Sequence, residues 1–311
     1  MSSATSKVAT LIAIDWGTTN RHGFLLDCDG RVLDSREDGL GLTKISGGKF
    51  QEAFEVLTAS WTESHGTLPT LLSGMVGAST GWTEAKYCSL PTGIGDLAEN
   101  LQPVPDCKSI WIVPGVMTHD DSNVPDVIRG EEVQAISVSS PCESQLIVLP
   151  GTHSKWLQTK DGKINWFATF MTGDLYAAIL DHTVISQLHV VEDISPLHAF
   201  TLGVETGYAQ KHSLLHLIFG ARTKVLFKEL DGREVSYYLS GLLIGTEIGN
   251  ALSTIDDRPS EITLIGSKSL CERYCTALKI CGIGSNYVGD SQIGATYVEI
   301  AEKAGILKVS K

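Results

Sequence analysis

The sequence predicts an α/β protein of two domains built on one plan, with a cleft between them. Two stretches carry the prediction. LIAIDWGTTNRHGFLLDCDGRVLDSR, from Leu11, and LIVLPGTHSKWLQTKDGKINWFATF, from Leu146, share one order. An apolar strand leads to a Gly-Thr turn, a second strand, an Asp-Gly turn and a third strand. Helical patterns follow each meander, so the order β-β-β-α-β-α is given twice. Between the halves lies PGVMTHDDSNVPDVIRG (114–130), rich in Pro, Gly, Asp and Asn. Domains are expected over residues 1–120 and 121–311.

Each element has its own signal. Asp-Gly between strand-like runs marks a hairpin in both meanders. GKFQEAFEVLTASWTESHG (48–66) has apolar residues at helical spacing and ends on Gly66. TGDLYAAILDHTVISQL (172–188) repeats that spacing. SYYLSGLLIGTEIGNALSTI (236–255) is mostly apolar and reads as a buried helix. EITLIGS (261–267) is a strand ending in Gly, and KSLCERYCTALKICGI (268–283) is the helix after it.

Composition limits the function. With 311 residues, 42% apolar and 19% charged, the chain can bury two cores. A net charge of −12 without any Lys/Arg-rich run argues against a nucleic-acid or anionic-membrane partner. The N-terminal apolar stretch is too short for a signal sequence and is interrupted by Asp15, so a cytoplasmic protein is expected. Seven scattered cysteines agree with that compartment. Cys271 and Cys275 lack a second pair at metal spacing, which argues against structural zinc. His212 and His216 lack the Glu of H-E-x-x-H and read as part of an amphipathic helix. The sequence leaves a homo-oligomer open.

The two Gly-Thr turns suggest chemistry. A tight glycine turn brings backbone N–H groups close to an anion, and hydroxyls add uncharged donors. Gly17, Thr18, Thr19 and Asn20 form one such turn; Gly151, Thr152, His153 and Ser154 form the other. Facing across a cleft, they would clamp a polyphosphate, with Lys155 either adding a point charge or lying on the strand as a solvated residue. Asp15 next to phosphates calls for a cation between them, and hydrated Mg²⁺ uses one or two carboxylates plus phosphate oxygens. The other reading of Asp15 is a turn-stabilising side chain. Phosphoryl transfer then needs a carboxylate base. Glu131 and Glu132 in VIRGEEVQA, and Asp174 in FMTGDLYA, are the candidates, each also explicable as helix N-terminal chemistry.

The motifs taken together resemble those of the 2-dehydro-3-deoxygalactonokinase family, within the sugar-kinase, Hsp70 and actin superfamily. AIDWGTTN (13–20) resembles its first phosphate motif, SGMVGASTGW (73–82) its substrate-side loop, and WIVPG (111–115) with IRGEE (128–132) its central signature. LPGTHSKW (149–156) is similar to its second phosphate motif, FMTGDLY (170–176) to the segment after it, and LSGLLIGTE (239–247) to its long helix. ITLIGSKSLCERY (262–274) sits where the superfamily binds adenosine. The resemblance implies two ribonuclease-H-like domains in an actin-like ATPase fold, with ATP in the cleft. It further implies Mg²⁺ and a sugar-acid substrate, 2-dehydro-3-deoxy-D-galactonate, phosphorylated on its terminal hydroxyl.

By the same resemblance, Glu131 occupies the place of the catalytic base. Gly74, Met75, Val76 and Gly77 line the sugar-acid side, and Gly266 lies at the adenosine. Arg129 would pair with the substrate carboxylate or a phosphate. Trp82 either lines that side or belongs to the core. Where the family has an Arg two residues after the Asn of its first motif, Arg21 and His22 follow Asn20 directly, and on a strand that shift reverses the face. Closure of the two domains around 114–130 is expected. Two alternatives stand: a kinase of the same fold for another sugar or sugar acid, and a nucleotide-dependent interaction protein. A dinucleotide oxidoreductase fails, since no G-x-G-x-x-G opens a helix after the first strand.

Overall fold

LIAIDW buries almost every side chain because it is an inner strand of its sheet. In the computed structural model, which describes residues 8–188, 190, 196–255, 260–289 and 293–308, this strand is β1 (Leu11–Trp16). It pairs antiparallel with β2 (Arg21–Leu26), which pairs antiparallel with β3 (Val32–Asp38). The Asp27 carboxylate closes the turn between β2 and β3 by accepting the N–H groups of Asp29 and Arg31 at 3.0 and 2.9 Å. Helix α1 (Phe50–His65) follows and ends at Gly66. β4 (Thr70–Ser73) then pairs in parallel with β1.

After it come β5 (Tyr87–Ser89), β6 (Thr92–Gly93), α2 (Ile94–Glu99), β7 (Gln102–Pro103) and β8 (Ile110–Ile112). The resulting sheet has the order β3-β2-β1-β4-β8-β7. Segment 114–130 is a hairpin, β9 (Gly115–His119) and β10 (Pro125–Ile128), leading into α3 (Glu131–Val138). Its polar composition is turn chemistry: Asp120 accepts the N–H groups of Ser122 and Val124, and Asn123 takes a φ of 60°.

The second meander is β11 (Gln145–Leu149), β12 (Ser154–Lys160) and β13 (Lys163–Phe170). Asp161 and Gly162 between the last two both have positive φ, 53° and 70°, as a tight two-residue hairpin requires. Four helices follow: α4 (Thr172–His182), α5 (Leu197–Ala209), α6 (Leu214–Leu226) and α7 (Val235–Ala251). The chain continues through β14 (Glu261–Ile265), α8 (Lys268–Ile280), β15 (Gly284–Val288) and α9 (Ile293–Lys303). β14 runs parallel to β11 and β15, and the first five strands of this six-stranded sheet, which ends on β6, have the order β15-β14-β11-β12-β13. That order is the counterpart of β8-β4-β1-β2-β3, so the repeat read from two turns extends to the topology.

Two expected helices are shorter than their sequence pattern. α4 stops at His182 because Thr183 takes an extended backbone while its hydroxyl donates to the Ile179 carbonyl and accepts the Ile185 N–H. The helix containing His216 begins at Leu214, which leaves His212 in a separate short 3-10 turn.

Two compact units result: Met1–Ser144 with Gln158–Phe167 and Asp290–Lys311, and Gln145–Leu157 with Ala168–Gly289. The first has a core of Ile12, Ile14, Trp16, Phe50, Trp61, Leu72 and Ile112. Its α9 packs on α2, α3 and β1. The second centres on α7, where Tyr238, Leu239 and Leu242 join Ala199, Leu217 and Ala221. α5 and α7 cross so closely that a Cβ on Gly241 would lie 2.1 Å from the Phe200 carbonyl oxygen.

Candidate active site

In the first unit, Asp15 is the last residue but one of β1, and its partner in the parallel β4 is Ser73. The Asp15 Oδ2 accepts Nε2 of Gln134, on α3, at 2.9 Å. Two glycines flank the carboxylate. Gly74 has a φ of 85°, and a Cβ there would sit 3.0 Å from Asp15 Oδ1; Gly130 has a φ of 108°, and its Cβ would lie 3.1 Å from the Gly74 Cα. The end of β1, the loop after β4 and the start of α3 therefore converge on one carboxylate, with no room for side chains at either glycine. Behind them, the Ser73 hydroxyl and the buried Tyr297 hydroxyl are 2.5 Å apart.

The first Gly-Thr turn is tied down by its carbonyls. Those of Gly17, Thr18 and Thr19 accept the N–H groups of Leu42, Thr43 and Gly41, and the Thr43 hydroxyl also donates to Thr18. Thr18, Thr19 and Asn20 are exposed. The Gly17 N–H closes the turn on the Asn20 carbonyl at 2.9 Å, so it is the exposed Thr18 and Thr19 that such a turn would present to an anion. Arg21 does not join it. The guanidinium is buried, forked onto Asp38 through Nε at 2.9 Å and Nη2 at 2.8 Å, donates Nη1 to the Ala53 carbonyl, and stacks over Trp16 at 4.9 Å. This ion pair holds the Asp38 carboxyl below its usual range, the hydrogen bond from Arg21 being the main cause.

The three candidate bases stand in different surroundings. Glu131 is half-buried at the start of α3, its Oε2 accepting the Arg129 N–H at 3.0 Å. Glu132 is fully buried; its Oε2 accepts the Gly130 N–H at 2.6 Å, and its Oε1 has no hydrogen-bond partner among the described residues. Burial, with the Glu131 charge beside it, pushes the Glu132 carboxyl up to about 8. Asp174 is half-buried in the second unit, its carboxylate 2.8 Å from His153 Nε2.

Arg129 lies over the Tyr87 ring at 4.3 Å and donates Nη2 to the Ala85 carbonyl at 2.8 Å. Its Nε and Nη1 are buried without a partner among the described residues, and Nη1 lies 2.8 Å from where a Cβ on Gly77 would be. Gly74–Gly77 form one 3-10 turn. Within it the Val76 side chain points into the core, while Met75 is half-buried. Trp82 packs edge-on against Trp16 at 6.5 Å and beside Phe54, as a core residue does.

In the second unit the Gly151–Ser154 turn is built in the same manner. The Thr152 carbonyl accepts the Asp174 N–H at 3.0 Å, and the His153 carbonyl accepts Lys155 Nζ at 2.9 Å. Thr152 and His153 are exposed, whereas Ser154 and Lys155 are buried. The Ser154 hydroxyl bonds Tyr274 at 2.8 Å. Gly266, with a φ of 138°, follows β14 directly and accepts the Tyr287 hydroxyl on its carbonyl. A small cavity of about 70 Å³ lies among Gly151, Gly173, Tyr176, Ser240, Arg273 and Tyr274.

Sequence reasoning missed Gln134, Tyr297, Glu247 and Tyr274. Gln134 sits one turn after Glu131 on the same helix face, which was a usable signal. Glu247 is a lone carboxylate in an otherwise uncharged buried helix, which was a stronger one.

The architecture has solved relatives. The activator of 2-hydroxyisocaproyl-CoA dehydratase from Clostridium difficile, with bound ADPNP, matches with a TM-score of 0.51 over 98% of each chain at 11% identity, a likeness of fold. The duplicated sheet with a Gly-Thr turn after each first strand is the actin-like ATPase fold. A crystal structure from Sinorhizobium meliloti, assigned as a 2-dehydro-3-deoxygalactonokinase, matches with a TM-score of 0.85 at 31% identity, over 96% of this chain and all of that one. The 2-dehydro-3-deoxygalactonokinase of Escherichia coli (strain K12) is 36% identical over 295 residues, 94% of this chain and 98% of its own length. The pattern of the 2-keto-3-deoxy-galactonokinase family covers residues 15–299, and the chain belongs to that family.

Proposed function

We propose that the protein transfers the γ-phosphate of ATP to the terminal hydroxyl of 2-dehydro-3-deoxy-D-galactonate, a step of galactonate breakdown. The observation that carries this reading is the pair of Gly-Thr turns in a chain of this family, with the carbonyls of Gly17, Thr18 and Thr19 in one and of Thr152 and His153 in the other held by the protein. In the first unit Gly17, Thr18, Thr19 and Asn20 bind phosphate. In the second Gly151, Thr152 and His153 bind phosphate, with Ser154 and Lys155 supporting from beneath, and Gly266 lies at the adenosine. Glu131 takes the proton of the substrate hydroxyl. Glu132 is buried with its carboxyl raised to about 8, and Asp174 lies in the second unit against His153, whereas Glu131 is half-buried in the unit that holds Asp15, so Glu131 is the better base.

Mg²⁺ fits the chemistry of Asp15. A carboxylate kept clear of side chains by Gly74 and Gly130, with one oxygen held by Gln134, suits an ion that takes few protein ligands. When bound, it would neutralise phosphate charge. Gly74, Met75 and Gly77 contact the sugar acid through backbone and small surfaces, Val76 by its backbone, and Arg129 supplies positive charge for the substrate carboxylate. In this reading residues 1–120 furnish the sugar-acid loop and the first phosphate turn, and the ATP side lies within residues 121–311, which also carry Arg129 and Glu131. No described helix is long and apolar enough to cross a membrane, and a cytoplasmic location belongs to the same reading.

The test is ATP consumption with 2-dehydro-3-deoxygalactonate beside its gluconate epimer and a panel of other sugar acids. Turnover highest on the galactonate derivative is expected. Preference for another sugar acid would move the protein to a sister specificity, and slow hydrolysis that no hydroxy compound stimulates would overturn the kinase reading.

A further inference from the structure

Glu247 lies on α7 and is buried at 2% exposure. Its carboxylate accepts Trp156 Nε1 at 2.7 Å, the Tyr274 hydroxyl at 2.8 Å and the Thr172 hydroxyl. The donors come from β12, α8 and the first residue of α4. Burial raises the Glu247 carboxyl above its usual range, and hydrogen bonds from Thr172, Trp156, Tyr274 and Ser154 offset that only in part. A buried carboxylate is costly to place, and an apolar residue of similar volume serves stability as well or better. Its neighbourhood gives it another use.

Tyr274 gives its own proton to Glu247, so in the 2.8 Å bond between Tyr274 and Ser154 the serine is the donor. The Ser154 oxygen then accepts the Gly151 N–H, at 3.5 Å. Gly151, Ser154, Tyr274 and Glu247 therefore form one chain in which each bond points from the turn toward the carboxylate. Bonds aligned in this way polarise one another. A second arm reaches the same turn. Thr172 opens α4, the next residue but one donates its N–H to the Thr152 carbonyl, and a Cβ on Gly173 would sit 2.6 Å from the Gly151 oxygen. Both flanks of the 151–154 turn are thus anchored on one side chain.

We propose that Glu247, acting through Tyr274 and Ser154, is a positioning residue that sets the 151–154 turn for the polyphosphate of ATP. The proposal rests on the reading that this turn binds ATP. The chain of bonds lies wholly in the second unit and includes none of the residues assigned to the sugar acid. Its loss should therefore fall on ATP and spare the other substrate.

Tyr274→Phe removes the linking hydroxyl and keeps the ring. Its affinity for a non-hydrolysable ATP analogue with Mg²⁺, measured by calorimetry, and its KM for both substrates decide the matter. The Kd for the analogue and the KM for ATP should rise about tenfold, with kcat and the sugar-acid KM within about twofold of wild type. Unchanged analogue affinity overturns the proposal, as does an equal loss for both substrates, which is what general loosening of the fold would give. Should Tyr274→Phe not fold, Glu247→Gln, which keeps the side-chain volume and removes the charge, carries the same expectation and the same refutation. Failure of the wild-type protein to bind the analogue would instead overturn the reading of the turn as an ATP site.

Discussion

Gln134 and Asp15 are 119 residues apart in sequence and joined by a 2.9 Å hydrogen bond from Nε2 to Oδ2. The bond fixes one oxygen of the carboxylate and leaves its orientation defined for a cation. Removing such a supporting partner typically costs about 10–100-fold in metal affinity or activity. Gln134→Leu should accordingly shift the Mg²⁺ titration of activity to higher concentration, and Asp15→Asn should shift it further while lowering turnover. A Mg²⁺ titration unchanged in both variants would remove Asp15 from the metal.

Glu131→Gln tests the base. The amide cannot accept the substrate proton, so kcat should fall by about 10²-fold or more. The ATP KM should change little, because Glu131 is not among the phosphate donors. Turnover near that of wild type would exclude Glu131, and attention would pass to Asp174.

How far the sequence reached is visible at these residues. The two Gly-Thr turns, the Asp-Gly hairpins and the buried helix α7 were legible because each is written in consecutive residues. The same holds for Gly74 and Gly130, which lie in recognisable motifs. Gln134 on Asp15, Tyr297 on Ser73 and Tyr274 on Glu247 were not, since each pair is brought together only by packing across 119, 224 and 27 residues. Arg21 is intermediate. Its place directly after Asn20, one residue off the family pattern, put it on the reversed face of the strand, but its partner was not legible: the antiparallel register sets it opposite Asp38, and the ion pair follows from that register.

Glu132 predicts a pH dependence of stability. Its carboxyl is raised from an ordinary 4.5 to about 8 by burial and by the Glu131 charge, with the Gly130 N–H and Arg129 opposing. Tyr297 and Cys88 also feel its charge. Between those two pH values the folded state holds a proton that the unfolded state has released. Raising pH through the window therefore lowers stability, by a few kcal/mol in total from this group. Glu132→Gln keeps an acceptor for the Gly130 N–H and cannot ionise. Denaturant midpoints measured from pH 5 to 8 should slope downward more steeply in wild type than in Glu132→Gln. Parallel slopes would show that Glu132 is ionised in the folded protein.

The crossing of α5 and α7 predicts opposite effects for two glycine substitutions. A Cβ on Gly241 would come within 2.1 Å of the Phe200 carbonyl oxygen and 2.9 Å of the Val204 N, backbone atoms that can move only if the helices separate. Overpacking of this sort costs about 1–3 kcal/mol, and a forced separation costs at the upper end. Gly241→Ala should lower the Tm by several degrees. Gly220, on α6, has nothing within 4 Å of its would-be Cβ. There alanine removes the helix penalty of glycine, about 1 kcal/mol, and should raise the Tm. Thermal melts of both variants beside wild type decide it: equal shifts would mean that helix propensity, and not the close approach of the two backbones, governs these positions.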